Sequence, residues 1–164
     1  SELKKSPISV CLVISNNPKS KGLNYAKNYK IKRRVFDFKK ESLAEKKILF
    51  ELKKNKIFLV CLAGFMKILS KNFIKNFNGK ILNIHPSLLP KFKGLDTHKR
   101  AIKNKEKFSG CTVHYVNSKL DSGEIILQKK VRILKKDNFK TLAKKILVQE
   151  HKLYPRAIMK IFNP

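Results

Sequence analysis

Residues 80–96 read KILNIHPSLLPKFKGLD, and this stretch decides how the chain is read. Ile81-Leu82-Asn83-Ile84 is an apolar run with one polar residue inside it; it reaches His85 and stops at Pro86. Side chains two apart on a strand share a face, so Asn83 and His85 are expected to emerge together. Proline fixes its own φ, gives no N–H to a sheet and holds the residue before it extended. His85 is therefore expected on stiff backbone where a strand turns into the loop 86–90. In open α/β sheets ligands gather outside the carboxyl ends of strands, which makes this strand end the expected seat of chemistry.

Upstream, residues 8–14 read as a buried strand, 22–29 as a short helix and 35–38 as a second strand. Residues 41–54 place Leu43, Ile48, Leu49 and Leu52 at helical spacing. Residues 57–62 form a continuous apolar run, as expected of a strand covered on both faces, and 70–78 a further helix or helical turn. Downstream, 111–116 and 124–133 are strand-like runs joined by a short connection, which implies an antiparallel pair at one edge. Residues 137–162 close the chain as a long amphipathic helix carrying Leu142, Ile146, Leu153 and Ile158, with Pro155 expected to kink or break it. Alternation of strands and helices predicts an α/β fold: a doubly wound, mostly parallel Rossmann-like sheet with an antiparallel edge, in one domain over 1–164.

The 164 residues suffice for one such domain. No apolar run approaches the roughly 18 residues of a membrane span, and no apolar leader follows Ser1, so no membrane partner is expected and the cytoplasm is the expected compartment. Cys11, Cys61 and Cys111 each sit in apolar runs far apart, a pattern expected of small buried hydrophobes and not of a disulfide framework or a metal site. The formal net charge of +28 would suit a nucleic-acid partner. The charge is nearly all lysine and dispersed, however, with arginine only at Arg33, Arg34, Arg100, Arg132 and Arg156. Attraction of small anionic substrates is the better expectation, and nucleic acid is not expected.

Asp121, in Lys119-Leu120-Asp121-Ser122-Gly123, joins Asn83 and His85 as a candidate. An amide, an imidazole and a carboxylate suit acyl transfer without a covalent intermediate and without a metal. Two donors can hold a carbonyl oxygen that becomes negative, and the carboxylate can orient the imidazole and move a proton. Each also has a plain account: Asp before Ser-Gly is an ordinary turn residue, and Asn83 can satisfy a strand end. Ser87 lacks the glycine-flanked elbow of a nucleophile. His98, His114 and His151 show no zinc spacing; His114 with Val116 is expected to line a pocket, and Glu150 to sit on a solvated helix face.

As a set these residues resemble the phosphoribosylglycinamide formyltransferase family. The matching motifs are Leu62-Ala63-Gly64-Phe65-Met66-Lys67-Ile68-Leu69, Asn83-Ile84-His85-Pro86-Ser87-Leu88-Leu89-Pro90, Gly110-Cys111-Thr112-Val113-His114-Tyr115-Val116, Leu120-Asp121-Ser122-Gly123 and Gln149-Glu150-His151 with Tyr154-Pro155. The resemblance implies transfer of a formyl group from 10-formyltetrahydrofolate to the amine of glycinamide ribonucleotide. It implies Asn83, His85 and Asp121 as the catalytic trio, and Met66, Lys67, Ile68, Leu69, Val116, Asn117 and Leu120 as the folate slot. It implies Pro86, Ser87 and Glu150 as contacts to the nucleotide substrate, with Glu150 on the ribose hydroxyls. Lys67 stands where the family often has arginine, which keeps the charge without the planar fork. A homodimer is left open.

One departure stands out. The family's first strand runs into a loop of the form G-x-G-S-N that grips the substrate phosphate, and none of the six glycines here makes it. The resemblance therefore implies a chain shortened at its N-terminus, either as a fragment or by nature, and unstable or inactive alone with the folate half the more intact. The alternatives are another formyl-folate enzyme, such as formyltetrahydrofolate deformylase or methionyl-tRNA formyltransferase, and an inactive basic remnant that binds nucleic acid.

Overall fold

The computed structural model describes residues 8–162. In chain order the described elements are β1 (Leu12–Ser15), α1 (Lys21–Asn28), β2 (Lys32–Val35), α2 (Glu41–Lys54), β3 (Leu59–Leu62), α3 (Lys71–Asn76), β4 (Lys80–His85), α4 (Thr97–Lys103), β5 (Phe108–Tyr115), β6 (Ile125–Arg132) and α5 (Phe139–Phe162). The expected α/β alternation is present. The strands fall into two sheets: β1 with β2, parallel, and β3-β4-β5-β6. Both β4–β5 and β5–β6 are antiparallel, so the antiparallel part is one strand wider than the expected edge. The chain divides into two compact units, one of residues up to 59 with 69–79, the other of 60–68 with 80 onward.

In the first unit β2 lies three residues earlier than expected, on Lys32-Arg33-Arg34-Val35. The cause is an acid on α2: Glu51 Oε2 lies 3.0 Å from Lys32 Nζ and its Oε1 3.3 Å from Arg34 Nε, so basic residues supply the strand where an apolar pattern was sought. A second acid of α2, Glu45, is buried and accepts the backbone N–H of Ser70 at 2.7 Å as well as its hydroxyl. Ser70 Oγ in turn accepts from the N–H of Phe73 at 3.0 Å, capping α3. Ile48 and Leu52 are buried as their spacing predicts, whereas Leu43 is exposed and Ala44 is buried in its place.

The second unit holds the core beneath the site. Leu142, Ile146, Leu153 and Ala157 of α5 bury against Cys111 and Val113 of β5 and Ala101 of α4. Each large apolar side chain so covered contributes about 1.5–3 kcal/mol. Asn138 Oδ1 caps α5 by accepting from the N–H groups of Lys140 and Thr141 at 2.9 and 3.0 Å. Pro155 does not break the helix, which runs on to Phe162. Just before it, the Tyr154 hydroxyl donates to the carbonyls of Leu62 (2.9 Å) and Leu82 (3.2 Å), tying α5 to two neighbouring strands.

The cysteines correct the expectation. Cys111 is buried, but Cys11, just before β1, and Cys61 on β3 are exposed. Among the described residues no helix is long and apolar enough to cross a membrane.

Candidate active site

β4 delivers Asn83 and His85 to one end of its sheet, and β5 runs back beside it. The register sets Asn83 opposite His114 and His85 opposite Thr112. Thr112 holds the loop that follows His85: its hydroxyl donates to Ser87 O at 2.7 Å and accepts from Leu89 N–H at 3.1 Å. Gln128 on β6 adds its amide, at 2.8 Å from Leu89 O and 2.9 Å from Thr112 Oγ1. The turn after His85 is thus clamped from two strands.

Asp121 sits in the connection from β5 to β6 with φ of 44°, a left-handed conformation that Asp tolerates better than most residues. Gly123 makes this turn possible. A Cβ there would lie 1.7 Å from Tyr115 O, so only glycine fits. The Asp121 carboxylate is turned inward. Oδ2 accepts from the N–H of Gly94 at 2.8 Å and lies 3.4 Å from His85 Nδ1, while Oδ1 lies 3.7 Å from His114 Nε2. The side chains of His85, His114 and Asp121 are all more than nine-tenths buried. The structure brings together what the sequence separates by thirty-six positions.

The hydrogen bonds assign the ring protons. His85 Nε2 faces Phe92 O at 2.9 Å, and a carbonyl only accepts, so Nε2 carries hydrogen and Nδ1 faces the carboxylate. His114 Nδ1 faces Tyr115 O at 2.8 Å and therefore donates there. Burial, more than anything else, holds the His114 ring below the ordinary histidine range and so neutral; the hydrogen bond to Tyr115 and the charge of Asp121 pull the other way. Neutral His114 has a lone pair on Nε2, which accepts from Asn83 Nδ2 at 3.3 Å. Asn83 does not touch His85; the two are joined through His114 and Asp121.

His114 is the residue that reading by motif underrated, as a pocket wall. The strand pairing with Asn83 is the signal that would have found it. His98, weighed in the sequence only as a zinc ligand, sits on the first turn of α4: its Nδ1 is buried without a hydrogen-bond partner, and burial followed by the charge of His85 lowers its basicity.

The remaining expected contacts are spread out. Met66, Lys67 and Ile68 are exposed, Met66 at 76% and Ile68 at 70%, and Leu69 is buried. Val116 is half-buried, with its N–H on Ile81 O, whereas Asn117 and Leu120 are exposed. Pro86 is half-buried. Ser87 is fully buried; its hydroxyl donates to Lys91 O at 2.6 Å and its N–H to His85 O, so its donors serve the loop. Glu150 on α5 is half-buried, and burial raises its carboxyl above the ordinary range.

Residues 1–158 match the formyl transferase family model. The chain is 41% identical over 155 residues to a phosphoribosylglycinamide formyltransferase of Haemophilus influenzae, covering 93% of this chain and 73% of that one. It belongs to the phosphoribosylglycinamide formyltransferase family. A crystal structure of the family's member from Anaplasma phagocytophilum superposes with a TM-score of 0.90 at 42% identity, covering 96% of this chain and 76% of that one. The chain is also 41% identical over 159 residues to the human trifunctional purine biosynthetic protein adenosine-3, 93% of this chain but only 15% of that protein's length. The α/β formyltransferase architecture expected from the sequence is thus that of the family.

Proposed function

We propose that this chain transfers the formyl group of 10-formyltetrahydrofolate to the amine of glycinamide ribonucleotide, a step of de novo purine biosynthesis, in the cytoplasm. Both compounds are substrates. The observation that carries the reading is the inward-turned Asp121 carboxylate, 3.4 Å from His85 Nδ1, with Asn83 held two residues along the same strand.

In the proposed reaction the amine nitrogen attacks the formyl carbon, and its oxygen gathers negative charge. Asn83 Nδ2 has a second hydrogen beyond the one given to His114, and it is the donor for that oxygen; the Nε2 hydrogen of His85 is given to Phe92 O and reaches the oxygen only by leaving that carbonyl. Asp121 takes the proton the amine must lose and passes it to the folate nitrogen as the carbon–nitrogen bond to it breaks. His85 stands beside Asp121 throughout. The exposed apolar Met66, Ile68 and Leu120 suit a flat pterin ring, with Lys67, Val116 and Asn117 as further contacts. Glu150 and Pro86 are proposed on the nucleotide side; Ser87 serves there by shaping the loop.

The test is formyl transfer by the purified chain, followed as release of tetrahydrofolate with both substrates present. Turnover that depends on glycinamide ribonucleotide and collapses in His85→Ala is expected. Turnover indifferent to His85→Ala removes the reading.

A further inference from the structure

We propose a second binding site in this chain, a lysine-rimmed pocket that takes a small organic polyanion of the nucleoside polyphosphate kind. A cavity of about 600 Å³ opens beside the turn between α4 and β5, within the roughly 300–1,000 Å³ typical of small-molecule sites. Leu88, Phe92 and Phe108 give it apolar walls, and Lys91, Lys105, Lys107 and Lys130 surround them. The one acid in the lining, Glu106, is taken by Lys91 at 3.0 Å. Among the described residues no carboxylate lies within ion-pair distance of Lys105, Lys107 or Lys130, so three lysines without an acidic partner line one cavity.

Such charges repel each other, and an anion that enters relieves all three at once. The walls select further. Lys130 Nζ stands 3.8 Å from the centre of the Phe108 ring, which joins a cation to an aromatic surface at the mouth. A bare inorganic anion leaves that surface wet; a ligand with an apolar ring and several charges covers it and meets the lysines together.

The Phe108 wall of the pocket is remote from the candidate active site, whereas its Phe92 wall adjoins it. Phe108 and His114 lie six residues apart on β5, about 20 Å along a strand. The two are nevertheless joined by backbone. Phe92, a wall of the cavity, places its carbonyl 2.9 Å from His85 Nε2, and Lys91 O receives the Ser87 hydroxyl. A ligand that shifts residues 91 and 92 therefore shifts the acceptor on His85. That consequence rests on the proposed role of His85, whereas the binding itself does not.

The test is calorimetric titration of the full chain with ATP at 0.15 M salt, which reads binding without catalysis. ATP is expected to bind once per chain. The exposed pair Lys107→Glu/Lys130→Glu should weaken it at least tenfold, and Lys107→Gln/Lys130→Gln by a smaller factor. Lys46→Glu/Lys47→Glu on α2, an equal change in charge at residues that do not line the cavity, should leave it within twofold. Adenosine and inorganic tripolyphosphate should each bind at least tenfold more weakly than ATP. Equal loss in the cavity and α2 variants, tripolyphosphate as tight as ATP, displacement of ATP by glycinamide ribonucleotide, or no saturable binding would each overturn the site.

Discussion

Asn83 and His114 stand opposite each other on β4 and β5, and the amide of one donates to the imidazole of the other at 3.3 Å. The histidine is fixed in turn by its own bond to Tyr115 O and by burial that keeps it neutral. Its lone pair therefore chooses the rotamer of Asn83. His114 should behave as a positioning residue: His114→Ala is expected to lower kcat by about 10–100-fold with KM for both substrates little changed, against about 10²–10³-fold for Asn83→Ala. The double variant should be no worse than Asn83→Ala alone, which steady-state kinetics on the four proteins will show.

Asp121→Asn keeps an oxygen for the Gly94 N–H while it removes the charge beside His85. Turnover at neutral pH should fall about 10²–10⁴-fold, with the thermal unfolding temperature nearly unchanged. A fall in both would mean that the carboxylate holds the turn more than it moves a proton.

Protonation should register in stability. His98 and His114 are both less basic in the fold than in the open chain, so the unfolded state takes up protons the native state refuses as pH falls from about 6.5. Their contribution is whole above that pH and is lost below it. Glu150 is shifted up and acts in the opposite sense: its contribution favours low pH and declines as pH rises from about 4.5. Unfolding temperatures from pH 7.5 to 5 should fall less steeply in His114→Gln than in the parent chain, and more steeply in Glu150→Gln.

Tyr154→Phe keeps the ring and leaves the carbonyls of Leu62 and Leu82 without their donor. A loss of about 1–3 kcal/mol in denaturant unfolding is expected.

Gly123→Ala places a methyl group against Tyr115 O and forces the turn that carries Asp121 to move. Stability should drop by about 2–4 kcal/mol, and formyl transfer should drop further than any loss of folded protein explains. Activity normalised to the folded fraction separates the two.

Much of this site could be read from residue order, for reasons that differ by element. β4 announced itself because an apolar run ends on a proline, and α5 because apolar residues recur at helical spacing over many turns. β2 hid because its strand carries three basic residues, two of them, Lys32 and Arg34, paired to an acid on α2, an interaction with no local signature. α4 hid because only Thr97 and Ala101 of its seven residues are buried. Asp121 was recognisable in its Leu-Asp-Ser-Gly turn, yet its link to Asn83 runs through His114, and that partner appears only once β5 is laid antiparallel on β4. The exposed cysteines were misread for a related reason: an apolar run tells that a strand forms, not whether anything lies on it.

Among the described residues two strands leave open rails. In the described residues β1 has β2 as its sheet neighbour and β3 has β4, so a row of backbone donors and acceptors on each remains for another chain to join. β2 is guarded by Lys32, Arg33 and Arg34, but Leu12-Val13-Ile14-Ser15 carries no charge of its own. Colloidal repulsion among molecules of net charge +28 is then what keeps such rails apart. Salt shortens the reach of that repulsion to about 10 Å at 0.1 M, so brine, the usual remedy for a sticky basic protein, should here hasten its clumping.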